Sequence, residues 1–477
     1  MIPAPADGLP PSTRAHLDSV QAFYEAAPTT AGWGARGYRA LLARCYNQLI
    51  PADAAVLEIG CGAGELLARL GGGRKAGIDL AERQIAAARR RLPEGVFCAL
   101  AGECLAGEAR GDVVVISDTL NLAADVQRLL ERIQDPTNPD LLLLVNFQNS
   151  LWRPILWLAR ATGLKSPQPE NSWLAGSDVR NLLRLAGWCP VTQQGRILLP
   201  LPCLGLEQLV NRWIAPFCPW FCLTVFVAAR PLRPAARAPL TVSIVIPVRD
   251  EVGNIVEAVR RTPEMGAGCE LIFVEGNSRD GTWAELERVA AANPHRRITR
   301  LRQPGGGKGD AVRAGFAAAT GDLLMILDAD LTVAPEELPK FYDAIASGRA
   351  ELANGVRLIY PREGRAMPFL NLCANKAFSL LFTWLLGQPV KDTLCGTKAL
   401  SRTHYERLAR NRRALGEFDP FGDFDLLFGA AKLNLRIVDV PIRYQERTYG
   451  ETKIKRWRHG ALLLRMAGFA ARRLKFV

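Results

Sequence analysis

Residues 56–67 read V-L-E-I-G-C-G-A-G-E-L-L: an apolar run carrying Glu58, a turn with Gly60, Gly62 and Gly64, and the start of a helical pattern. The spacing predicts a strand over Ala54 to Ile59, a tight turn, and a helix over Glu65 to Leu70. Glycine there admits backbone angles closed to residues with a Cβ and lets a ligand approach the main chain. Outward from this stretch, Ala76 to Asp79 reads as a second strand and Glu82 to Arg91 as a helix, and Val113 to Ser117 and Leu141 to Asn146 continue the strands. Strands alternating with helices imply an α/β fold with a parallel sheet covered by helices. In such a unit the acid that ends the second strand commonly takes ribose hydroxyls, which singles out Asp79. A dinucleotide site calls for G-x-G-x-x-G; here the pattern is G-x-G-x-G with Glu58 before it.

At 477 residues the chain exceeds what one hydrophobic core supports. The Pro- and Arg-rich stretch Ala229 to Leu240 has no periodicity and reads as a linker, with a fresh strand, Thr241 to Pro247, directly after it. Two domains are therefore expected, 1–235 and 236–477, differing in motif content. Hydrophobic residues at 49% and charged residues at 22% exclude a disordered or collagen-like chain. The net charge of +13, concentrated in the second half, suits anionic partners such as nucleotides or phospholipid headgroups. No stretch interleaves basic and aromatic residues as a nucleic-acid surface would, so no nucleic-acid partner is expected. The 11 cysteines form no C-x-x-C framework and fit free thiols in a reducing compartment. Met1 to Ser12 lacks the basic and apolar regions of a signal peptide. The longest uncharged apolar stretch, Ile214 to Ala229, falls short of the ~20 residues of a spanning helix and reads as a buried strand over Phe221 to Ala228.

On Glu58, the three glycines and Asp79, the region from Phe23 to Arg230 resembles a class I S-adenosylmethionine-dependent methyltransferase, a Rossmann-like fold. The resemblance implies that Gly60, Gly62 and Gly64 line the methionine end of the cofactor and that Asp79 binds its ribose. Glu103 falls where an acid often meets the adenine, or is a surface loop acid. Asp118 follows the next strand and faces the sulfonium, or caps a helix starting near Leu122. Phe23 and Tyr24 fold over the cofactor or pack an N-terminal helix. Glu170 to Trp173 form a polar, aromatic loop that contacts an acceptor or packs through Trp173. The sequence carries no Asn/Asp-Pro-Pro-Tyr signature, so the methyl acceptor is open.

The second half carries five motifs in order: I-V-I-P-V-R-D-E-V-G-N (244–254), F-V-E-G-N-S-R-D-G-T (273–282), P-G-G-G-K-G-D-A-V-R-A-G (304–315), L-D-A-D-L (327–331) and R-T-Y-G-E-T-K (447–453). A D-x-D after a buried strand sets two carboxylates at its carboxyl end, and Mg²⁺ is usually held by one or two carboxylates plus substrate phosphates. Lys308, in a Gly-rich loop, and Arg447 can supply further positive charge.

These motifs resemble family 2 glycosyltransferases of the GT-A fold, nearest the branch that makes polyprenyl-phosphate sugars, such as dolichyl-phosphate mannosyltransferases. The resemblance implies transfer from a nucleotide-sugar to a polyprenyl phosphate, with Mg²⁺ or Mn²⁺ as cofactor. Pro247, Asp250, Glu251 and Glu275 then lie around nucleobase and ribose. Asp328 lies near the ribose, and Asp330 is the metal ligand. Asp425 stands where these enzymes carry an acid, and Arg447 and Lys453 face the phosphates. Glu275-Gly276 replaces the usual pair of Asp, and Lys398 stands where relatives often have Arg, which binds phosphate bidentately. For a hydroxyl acceptor, Asp392 or Asp425 would serve as base; that alternative treats the first half as a non-catalytic cofactor-binding module.

The tail from Lys453 to Val477 has eight basic residues and no acid, with Leu463, Ala467, Ala470 and Leu474 on one helical face. Basic amphipathic helices bind anionic membrane surfaces. Met367 to Leu386 is also apolar. The expected location is cytoplasmic, peripheral on the cytoplasmic face of a membrane.

Overall fold

A computed structural model describes residues 11–30, 32–105, 111–162, 169, 174–232, 235–236, 238–357, 359, 369–411, 422–445, 447, 449 and 456–476. The chain divides into two compact α/β units, Met1–Leu232 with Lys475–Val477, and Arg233–Leu474.

The first unit holds β1 (Val56–Ile59), β2 (Lys75–Asp79), β3 (Val96–Ala99), β4 (Val113–Ser117), β5 (Leu142–Gln148), β6 (Trp188–Ile197) and β7 (Thr224–Pro231). They form one seven-stranded sheet in the order β3-β2-β1-β4-β5-β7-β6. The first five strands are parallel, while β7 runs antiparallel to both neighbours. Antiparallel neighbours need no crossover, and the chain between β6 and β7 stays at one end of the sheet, Ile197 pairing with Thr224. Side chains alternate between two cores: Val56, Val113, Val115, Leu142 and Leu144 on one face, Leu57, Ile59, Val114, Ile116 and Leu143 on the other. Burial of both faces explains why these strands read as unbroken apolar runs.

The expected helix over Glu65 to Leu70 is only a 3₁₀ turn, Leu67–Arg69. Gly71 to Gly73 follow it, and Gly72 takes φ +92° where an added Cβ would lie 2.6 Å from the Ala54 carbonyl. Glycines disfavour helix, and the close return onto β1 leaves no room to continue. The apolar stretch at Ile214 becomes short helical turns, and the strand begins at Thr224.

The second unit holds β8 (Val242–Val248), β9 (Cys269–Glu275), β10 (Arg297–Arg302), β11 (Leu323–Ile326), β12 (Leu352–Val356), β13 (Lys398–Ser401) and β14 (Ile437–Pro441). The sheet order is β10-β9-β8-β11-β13-β12-β14, with β13 antiparallel to β11 and β12. Its core gathers Ile244, Ile246, Leu271, Phe273, Met325 and Phe341. In both units strand order reverses beside the first strand, between β1 and β4 and between β8 and β11. Open α/β sheets bind ligands at the carboxyl ends of strands at such a point.

The tail helix, Arg456–Leu474, buries Leu463, Met466, Ala467, Ala470 and Ala471 and packs on the helix Phe369–Leu386. This corrects the expected anchor: among the described residues its apolar face is largely spent on protein packing, and Leu464, Arg465, Arg472 and Arg473 remain exposed. Among the described residues no helix is long and apolar enough to cross a membrane.

Candidate functional site

In the first unit the glycine turn leaves β1 with Gly60, Gly62 and Gly64 at φ +73°, +51° and +71°. An added Cβ on Gly60 would lie 2.2 Å from Thr119 Oγ1, whereas one on Gly62 would meet nothing within 4 Å. Gly60 is thus required by packing and Gly62 borders open space. Asp79, ending β2, accepts hydrogen bonds from Gly62 N–H (2.8 Å) and Ala81 N–H (3.0 Å), so it shapes the turn it sits beside. Burial raises its carboxyl above the ordinary range.

Glu58 is buried, and its Oε2 has no hydrogen-bond partner. Burial pushes its carboxyl up to about 8, against the pull of Arg39 and with Asp79 adding to the rise. A free carboxyl titrates near 4.5, so between these values the folded chain holds a proton that the unfolded chain has lost. The stability contributed by this group is fully present below its unfolded value and is lost as pH rises towards the folded one. Thermal unfolding of Glu58→Gln against wild type should show a difference that grows between about pH 5 and about pH 8.5. Equal slopes in the two proteins would mean that Glu58 is solvated.

Asp118 sits at φ +54° beyond β4. Its Oδ1 accepts from Asn146 Nδ2 (2.7 Å) and lies 3.5 Å from the Tyr38 hydroxyl. The helix cap expected of it falls instead to Asp125, which accepts from Arg128 N–H. Glu103 is buried and accepts from Ala124 N–H at 3.0 Å, so it is no surface acid. Tyr24 faces the same acids: burial, then Asp79 and Asp118, push its hydroxyl up to about 12. Phe23 packs edge-on against the Tyr24 ring. Glu25 accepts from the N–H groups of Glu82 (2.6 Å) and Arg83 (3.2 Å), tying the N-terminal helix over the start of the helix after β2. Tyr38, Asn146 and Glu25 escaped sequence reading; a polar Asn closing the apolar run L-L-L-L-V was the available signal for Asn146. Residues 170–173 lie outside the described residues.

In the second unit all five motifs meet. β11 ends at Ile326, and Asp328 follows with Lys308 Nζ at 2.6 Å. Burial alone would raise the Asp328 carboxyl, but Lys308, with Lys398 and Arg357 behind it, outweighs burial and holds it low. Asp330 accepts from Thr332 N–H (3.2 Å) and Oγ1–H (2.8 Å), and its other oxygen meets Arg447 Nη2 at 2.5 Å. Arg447 also reaches Glu251 at 3.4 Å, and Glu251 accepts from Asn254 at 2.7 Å. Tyr449 lies against Gly253, where an added Cβ would be 2.6 Å from its ring. Asp250, at φ +52°, accepts from Arg279 N–H at 2.8 Å, and Glu275 accepts from Ser278 N–H. Pro247 is the penultimate residue of β8. An added Cβ on Gly276 would lie 2.8 Å from Gln303 Oε1, so Gln303 fills the space beside Glu275.

Asp425, in the first turn of the helix Asp423–Lys432, lies 3.6 Å from Arg313, and Gly422 before it packs on Gly309 in the first turn of the helix Lys308–Ala318. Asp392 is fully buried and paired with Arg357 through contacts of 2.7 and 2.9 Å. It is therefore a structural ion pair and not a base open to an acceptor. Lys398 is buried and donates to the Cys395 carbonyl. Gly396 was not singled out by sequence: an added Cβ there would lie 2.1 Å from Lys308 Nζ and 2.3 Å from Asp328. Lys453 lies outside the described residues.

A methyltransferase domain joined to a GT-A glycosyltransferase is the class that these folds and sites define. Residues 31–193 match the family model "Methyltransferase domain" and residues 243–409 match "Glycosyl transferase family 2". The polyprenol monophosphomannose synthase of Mycolicibacterium smegmatis is 31% identical over 44% of this chain and 80% of its own length. The chain belongs to glycosyltransferase family 2. The dolichol-phosphate mannosyltransferase of Pyrococcus furiosus is 28% identical over 45% of this chain, which spans 60% of that protein. A crystal structure of Mycobacterium tuberculosis glucosyl-3-phosphoglycerate synthase with Mn²⁺, UDP and product aligns at 21% identity and TM-score 0.35 over 49% of this chain and 80% of that one.

Proposed function

We propose that the second unit transfers a sugar from a nucleotide-sugar to a polyprenyl phosphate with inversion, and that the first unit binds S-adenosylmethionine and methylates an acceptor of its own. Working domains of 1–235 and 236–477 go with this reading. One observation carries it: each D-x-D carboxylate is met by a cation from another motif, Asp328 by Lys308 and Asp330 by Arg447. Similarity to the two polyprenyl-phosphate mannose enzymes supports the acceptor class.

On this reading Pro247, Asp250, Glu251 and Glu275 line the nucleobase and ribose, with Asp328 at the ribose. Lys308, Arg447 and Lys453 face the diphosphate. Asp328 and Asp330 offer only hard oxygen donors, which suit Mg²⁺ or Mn²⁺. Asp330 would hold the cation, which neutralises charge on the departing nucleoside diphosphate. Arg447 would turn from Asp330 and Glu251 to the phosphates. A phosphate acceptor arrives as an anion and needs no general base, and attack opposite the leaving group inverts the anomeric carbon. Burial of Asp392 in its ion pair removes one of two bases a hydroxyl acceptor would use, which favours the phosphate.

In the first unit the open side of Gly62, the partnerless Glu58 oxygen and Asp79 fit the cofactor, which supplies an electrophilic methyl group when bound. Gly60, Gly62 and Gly64 would line its methionine end, Asp79 its ribose and Glu103 its adenine. Calorimetry should find S-adenosylmethionine binding weakened about a hundredfold in Asp79→Ala, because a charged acceptor and the support of the Gly62 turn go together. Unchanged affinity would remove Asp79 from the site.

The protein would work at the cytoplasmic face of a membrane as a peripheral enzyme. The test of the whole reading is incubation with a panel of nucleotide-sugars and polyprenyl phosphates, with Mn²⁺ or Mg²⁺ and with excess chelator. Transfer only to hydroxyl acceptors would select the alternative.

A further inference from the structure

The first unit exposes an unusual amount of apolar surface where β5 ends. After Gln148 the chain makes a turn, Ser150–Trp152, and a helix, Arg153–Ala161, and neither buries a single residue. A surface helix of a folded unit ordinarily turns its apolar stripe inward. This one exposes Ile155, Trp157 and Leu158, with Trp157 69% exposed, and the turn before it exposes Leu151.

A second apolar segment is fastened to the first. Asn149 Nδ2 donates to the carbonyls of Trp220 (2.9 Å) and Cys222 (3.1 Å), and Trp152 Nε1 donates to that of Phe221 (2.7 Å). The short turns leading to it expose Leu209, Trp213, Phe217, Trp220 and Phe221. These bonds hold the exposed Trp220 and Phe221 beside the turn that opens the apolar helix, while Trp213 and Phe217 also pack on Phe476.

Its charge is one-sided. Residues 149–162 contain no acid, and 198–223 contain only Glu207. Glu207 is buried, its carboxylate accepting from the N–H groups of Cys203 (2.7 Å) and Gly205 (3.1 Å). Arg153 and Arg212 are exposed beside the aromatic residues. Contiguous apolar patches of this kind mark interaction sites. Trp is enriched at the headgroup level of membranes, and apolar faces flanked by basic residues bind anionic bilayers.

We propose that this face seats the first unit on an anionic lipid bilayer. Among the described residues of the tail helix most of the apolar side is buried, and Arg465, Arg472 and Arg473 offer salt-sensitive attraction. The aromatic face supplies burial that salt does not remove. The face also adjoins the carboxyl edge of the sheet. Asn146 of β5 holds Asp118, and Thr224, which opens β7, pairs with Gln148 and bonds the Tyr38 hydroxyl at 2.9 Å. A methyl acceptor resident in the membrane would meet the unit at that edge; this corollary rests on the S-adenosylmethionine reading, and the docking does not.

The test is flotation of the full-length protein with vesicles of phosphatidylcholine, with and without phosphatidylglycerol, at rising salt. The variant I155S/W157S/W220S/F221S should bind phosphatidylglycerol vesicles on the order of tenfold or more weakly. Its calorimetric S-adenosylmethionine affinity should match wild type, which separates loss of docking from loss of fold. In wild type, lipids brominated near the headgroup should quench tryptophan fluorescence, a reading that needs no variant. Equal flotation of variant and wild type overturns the proposal, as does absence of quenching on bound wild type. A change of oligomeric state without a change in flotation would make the face a self-association surface and overturn it equally.

Discussion

If Asp330 holds the cation as proposed, Asp330→Asn should lower sugar transfer by roughly a thousandfold while the fold persists: a bound cation contributes several kcal/mol to a phosphate-leaving transition state, and about 4 kcal/mol is that factor. The fold is spared because Asn keeps an oxygen for the Thr332 N–H and hydroxyl, the two bonds that pin this turn. What disappears is the charge on the oxygen that now meets Arg447. Initial rates with nucleotide-sugar, polyprenyl phosphate and Mn²⁺ measure the loss, and an unchanged Tm certifies the fold. Full activity in the variant, or in wild type under excess chelator, would falsify the assignment of Asp330.

Arg357→Ala destabilises the second unit by about 3–5 kcal/mol, the cost of leaving a buried charge without its partner. Asp392 is fully buried and takes both Arg357 contacts, with Asn375 Nδ2 at 3.1 Å and Leu394 N–H at 3.1 Å. Burial would raise its carboxyl, but Arg357 outweighs burial and holds it below the ordinary range. The stability from this lowered value is therefore present above the unfolded pKa, near 3.8, and is lost as pH falls through the folded one. Urea unfolding of Arg357→Ala, Asp392→Asn and the double variant measures the coupling. The double variant should recover part of the loss, since Asn leaves no buried charge. A loss under about 1 kcal/mol in Arg357→Ala would mean that water reaches Asp392.

Much of the site was legible because its residues fall where strands stop. Asp79 ends β2, Glu275 ends β9, and Asp328 and Asp330 follow β11, so an apolar run closing on an acid pointed to each. The strands themselves were readable because both sheet faces are buried. Helices were less so: Glu65 to Leu70 has a helical pattern, yet the glycines after it and the close return at Gly72 stop it after one turn.

By itself the sequence determined the two α/β units, the glycine turn with Glu58 and Asp79, and the five motifs of the second half in their order. Each is a local pattern, set by the period of a strand or the backbone freedom of glycine. Tertiary structure alone decided how the charges pair. Asp392 and Asp425 looked alike as candidate bases, but Arg357, more than thirty residues before Asp392, takes the first, while the second stays at the edge of the site beside Arg313. It alone turned the apolar side of the tail helix inward and left the Trp-rich turns of the first unit outward. Pairing and burial depend on which side chains the fold brings within a few ångströms, and neighbours in space leave no period in the sequence.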